Sequence, residues 1–71
     1  MPKTKEAMIQ SYKSTIEHWK RVAKYNNENA IQKEKEGNMH GAAICYGKSR
    51  AALERAERAN EGLKRYMAEN S

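Results

Sequence analysis

Seventy-one residues, 38% hydrophobic and 32% charged, make one small domain at most, too charged to lie in a bilayer and too apolar to stay unfolded. Fourteen basic against nine acidic side chains leave a net charge of +5, which favours acidic surfaces but lacks the clustered run of a dedicated nucleic-acid tail. No apolar run approaches the roughly 18 residues that cross a membrane, and the opening MPKTKEAM carries no apolar core behind its lysines, so a cytoplasmic location without membrane contact is expected.

From the N-terminus, apolar or small residues recur at Ile9, Tyr12, Ile16, Trp19, Ala23, Asn26 and Ala30. The alternating steps of three and four form a heptad seam and predict a helix over about 4–36. Its middle contains KYNNENA, residues 24–30. Each asparagine costs about 0.5 kcal/mol relative to alanine in a helix. Ala30 nevertheless stays one heptad beyond Ala23, so the stretch reads as helix interior held by its partner rather than as a linker. Gly37 suits the left-handed residue that ends a helix, and Asn38 suits the cap of the next, which places a turn at 36–38. A second series, Met39, Ala42, Tyr46, Ser49, Leu53, Ala56, Asn60, Leu63 and Met67, predicts a helix over about 39–69.

So short a turn makes the helices antiparallel, and the chain is expected to be an all-α helical hairpin, a single coiled-coil-like domain over 1–71. Facing residues then pair Ala30 with Tyr46, Asn26 with Ser49, Ala23 with Leu53, Trp19 with Ala56, Ile16 with Asn60, Tyr12 with Leu63 and Ile9 with Met67, and Tyr46 on Ala30 and Trp19 on Ala56 match large to small. The polar pairs are read as fixing register. One flank of this seam, Met8, Thr15 and Val22 against Cys45, Ala52, Ala59 and Tyr66, is small and mostly apolar. It is expected to be covered, either by a second copy, giving a homodimeric four-helix bundle, or by another protein. The other flank, with Lys20 near Glu57, is expected to face water.

Chemistry has few candidates. His18 and His40 fall far apart in the hairpin, and Cys45, the single cysteine, can form no internal disulfide or cysteine-based zinc site. Gly37, Gly41 and Gly47 lack the Lys-Ser or Lys-Thr that completes a phosphate-binding loop. No metal, cofactor or enzymatic activity is expected. The rival to protein binding is nucleic acid or an acidic partner, tracked by Lys13, Lys20, Arg21, Lys24 and Arg55 with exposed Tyr25 beside them. Four-residue charge pairs such as Lys13 with Glu17 and Arg50 with Glu54 read instead as solubilising ladders.

The run GNMHGAAICYGKSRAAL, residues 37–53, resembles the second half of a tetratricopeptide repeat, with Ala42 and Tyr46 at its small and aromatic positions. The preceding helix lacks the repeat's aromatic and Leu-Gly pattern, Ser49 stands where the next alanine belongs, and no proline follows. The likeness implies shared hairpin packing and no family membership. The expected function is that of a small binding or regulatory protein, an inhibitor or adaptor of the kind carried by phages and mobile elements. The alternative is a basic dimer that binds DNA or RNA.

Overall fold

A computed structural model describes residues 4–70; the first three residues and the last of the expected 1–71 domain lie outside the described residues. The chain forms two antiparallel helices of equal length, α1 (Lys5–Lys35) and α2 (Met39–Glu69). Each end is built from the cap chemistry of its own sequence. Thr4 Oγ1 accepts from the Ala7 N–H at 3.1 Å to start α1, and Asn38 Oδ1 accepts from the Gly41 N–H at 2.9 Å to start α2. Between them the Gly37 N–H donates to the Glu34 carbonyl at 3.0 Å and the Asn38 N–H to the Lys33 carbonyl at 2.8 Å. This double closure needs a left-handed residue, and Gly37 supplies it at φ 81°. At the opposite end the Lys5 ammonium donates to the Asn70 carbonyl, joining the start of α1 to the end of α2.

α1 runs without a break through Asn26–Asn29, as the heptad phase predicts. Asn26 Nδ2 donates back to the Val22 carbonyl at 2.9 Å, so its amide is satisfied within its own helix. Ile9, Tyr12, Ile16, Trp19, Ala23, Asn26 and Ala30 are all buried or half-buried, and the seam of α1 is the predicted one.

The seam of α2 differs. Its buried residues are Ala42, Cys45, Ser49, Ala52, Ala56 and Leu63, whereas Met39, Leu53 and Met67 are exposed at 63%, 48% and 47%. The helix is turned by roughly 50° from the expected seam, toward its small residues. The cause is packing. Ala23 and Ala30 on α1 let the backbones approach, and a close approach accepts Cys45 and Ala52 but not the Leu53 and Met67 column. Ser49 shows how near the helices come: its Oγ donates to the Ala23 carbonyl at 2.8 Å. The expected Asn26 to Ser49 pair is therefore replaced by two separate bonds to α1 carbonyls.

This close fit makes a thin core. Five of its eight buried residues are alanines, and a buried methyl contributes about 0.8 kcal/mol against about 1.5–3 for a full leucine or isoleucine. The hairpin measures 51 × 17 × 15 Å with a radius of gyration of 16.1 Å, where a compact chain of this length has about 11 Å. Its accessible surface is 5592 Å², about 1,000 Å² more than a compact monomer of the same mass exposes.

Candidate interaction surface

The hairpin has two long sides, and the turn of α2 decides what each presents. On the first, α1 places Trp19, Val22 and Asn26 beside Lys48, Ala52 and Arg55 of α2. The Arg55 guanidinium lies over the Trp19 ring, 4.7 Å from its centroid, and His18 meets the same indole edge-on at 5.0 Å. A cation over an indole contributes about 0.5–1 kcal/mol at an exposed site. Further along, Tyr12 and Tyr66 stand 6.0 Å apart in a tilted pair, and the Tyr12 ring lies where a Cβ at Gly62 would come within 3.1 Å of it. Aromatic stacking and cation–π contacts thus cover part of this side, beside a groove of about 260 Å³ between Val22 and Ala52.

The flank expected to receive a partner lies on that side, and the structure distributes its members unevenly. Cys45 and Ala52 are 9% and 2% exposed, covered by α1 of the same chain. Met8, Val22, Ala59 and Tyr66 are half-buried, and Thr15 is exposed with its hydroxyl donating to the Ser11 carbonyl at 3.0 Å. The expected seam places Leu53 and Met67 inside and leaves this flank to a partner; in the structure those two residues are 48% and 47% exposed. With those two residues outside, Cys45 and Ala52 of the small flank join the hairpin's own core.

The second side carries the larger exposed apolar side chains, Leu53 and Met67. A shallow groove of about 300 Å³ runs between the helices there, lined by Ile16, Lys20, Leu53, Ala56, Glu57 and Asn60. It continues toward the turn past Lys20, Ala23, Lys24, Asn27 and Ser49. Leu53 lines this groove, and the same column of α2 carries exposed Met39 and Met67 toward its two ends, with half-buried Tyr46 and Asn60 between them. The expectation of a solvated flank here holds for its charges and fails for its apolar content. Near the turn, a hydrogen bond to the Glu34 carboxylate, then burial and the carboxylate's charge, hold the Tyr46 phenol above its ordinary 10.0.

The basic set does not converge. Lys20 and Lys24 line the open groove, Arg55 is engaged with Trp19 on the other side, and Arg21 pairs with Glu17 at 3.8 Å on the outer surface. Lys13 and Tyr25 are exposed, Tyr25 at 66%. Glu17 thus pairs with Arg21 and not with Lys13, the only ion pair among the described residues. Among those residues no three His, Cys, Asp or Glu side chains converge on a point that would hold a metal ion, and no helix is long and apolar enough to cross a membrane. Compared with protein-family models, curated proteins and solved structures, the chain matches none.

Proposed function

We propose that the chain is a non-enzymatic helical binding protein, an inhibitor or adaptor that acts by laying the Leu53 side of its hairpin against another protein. The observation that supports it is the exposure of Met39, Leu53 and Met67 on one column of α2, with Leu53 bordering a groove lined by Ile16 and Ala56. A hairpin with so thin a core gains little by leaving leucine and methionine in water, and covering them is where its free energy can still fall. Apolar residues at heptad spacing on one face are what a helix-lined partner groove reads. The histidines bear on nothing catalytic in this reading: His18 packs on Trp19, and His40 lies on the first turn of α2.

The test is capture of partners by the tagged chain from its source cell, with and without nuclease, read by mass spectrometry. The expected result is a protein retained after nuclease treatment and lost with Leu53→Glu. Capture that vanishes with nuclease and survives Leu53→Glu supports instead a nucleic acid tracked by Lys13, Lys20 and Lys24, with a steep loss of affinity in salt.

A further inference from the structure

We infer that the first occupant of the Leu53 side is a second copy of this chain, related by a two-fold axis parallel to the helices. The inference rests on the reading of this side as a protein-contact surface and names the partner. Three features carry it.

The first is area. A side 51 Å long and 15–17 Å wide offers roughly 800 Å², which is what each partner contributes to a standard stable interface. The second is self-complementary shape: each copy brings both a large exposed side chain, Leu53, and the groove that it borders, lined by Ile16 and Asn60. A two-fold interface needs one surface to supply both.

The third is charge, and it selects the axis. Lys20 and Glu57 line the same groove at the same level, and no ion pair joins them within the hairpin. Lys20 is also the middle residue of α1 (Lys5–Lys35). A two-fold axis across the hairpin would reverse the second copy and set Lys20 against the partner's Lys20. An axis along the hairpin keeps both copies in the same direction and lays α1 of each on α2 of the other, so that Lys20 meets the partner's Glu57 and Glu57 meets the partner's Lys20. Like charges at such a contact oppose assembly and opposite charges fix its register. The product is a four-helix bundle with both turns at one end.

Sedimentation of the full chain over a concentration series tests this. The expected result is a reversible species of twice the chain mass. Leu53→Glu should weaken association about tenfold or more by burying an unpaired charge, with helical content unchanged by circular dichroism; Leu53→Ser, a milder change at the same exposed position, should weaken it less. Lys20→Glu and Glu57→Lys should each weaken association, and the two together should restore it. A wild-type chain that sediments as a monomer throughout overturns the second copy. If that monomer still captures a protein through Leu53, the binding reading survives; if it does not, both fail. Dimerisation untouched by the charge reversals overturns the parallel axis.

Discussion

Ser49 gives its hydroxyl proton to the Ala23 carbonyl across the seam, and that carbonyl also accepts from its own helix in the ordinary i to i−4 ladder. Removing the hydroxyl strands no acceptor. Ser49→Ala should therefore cost only about 0.5–1.5 kcal/mol in urea denaturation at fixed protein concentration. Ser49→Leu should cost more, about 1–3 kcal/mol, because the added volume forces apart backbones that the alanines hold close. Equal losses for the two would contradict the close approach. The glycines separate in the same way. Gly37 holds a positive φ of 81°, so Gly37→Ala should destabilise by about 1–2 kcal/mol. Gly47 is exposed in mid-helix with nothing near the position of a Cβ, so Gly47→Ala should stabilise by about 0.5–1 kcal/mol and raise the melting temperature.

At the scale of the helices, Tyr46 and Glu34 tie α2 to the end of α1. The fold favours the neutral phenol, whose pKa is raised above 10.0. The stability from this contact is complete below pH 10 and is lost as pH rises through the raised folded value. Ultraviolet titration of the phenols should show Tyr46 moving back toward 10 in Glu34→Gln, and the alkaline loss of stability should shrink in Tyr46→Phe; a titration unchanged by Glu34→Gln would refute the contact. Both helices, the turn and the unbroken Asn26–Asn29 stretch were legible in the sequence because caps and heptad phase are local signals. The seam of α1 was legible for the same reason. That of α2 was not, since two apolar columns flank Ala42, Ser49 and Ala56, and hydropathy ranks Leu53 and Met67 above Cys45 and Ala52. The choice between columns depends on how closely the backbones approach, which Ala23 and Ala30 set from the other helix. Size complementarity between the helices was therefore the signal to weigh. Because the seam fixes both sides, that single displacement draws Cys45 and Ala52 into the core and brings Leu53 and Met67 to the surface.

For the molecule as a whole, a thin alanine core and about 1,000 Å² of surplus surface make contact with another protein surface part of the free-energy balance. One side is partly covered by Arg55 on Trp19 and by Tyr12 with Tyr66; the other presents Leu53 and Met67. Association should accordingly raise the melting temperature with protein concentration, by mass action, and Leu53→Glu should flatten that dependence. Which side is used is decided by partner binding or self-association measured for Leu53→Glu beside Thr15→Glu, an exposed position on the Trp19 side. The account predicts that Leu53→Glu abolishes binding while Thr15→Glu leaves it intact. Loss with Thr15→Glu and retention with Leu53→Glu would contradict it and return the contact to the flank of Val22, Ala59 and Tyr66.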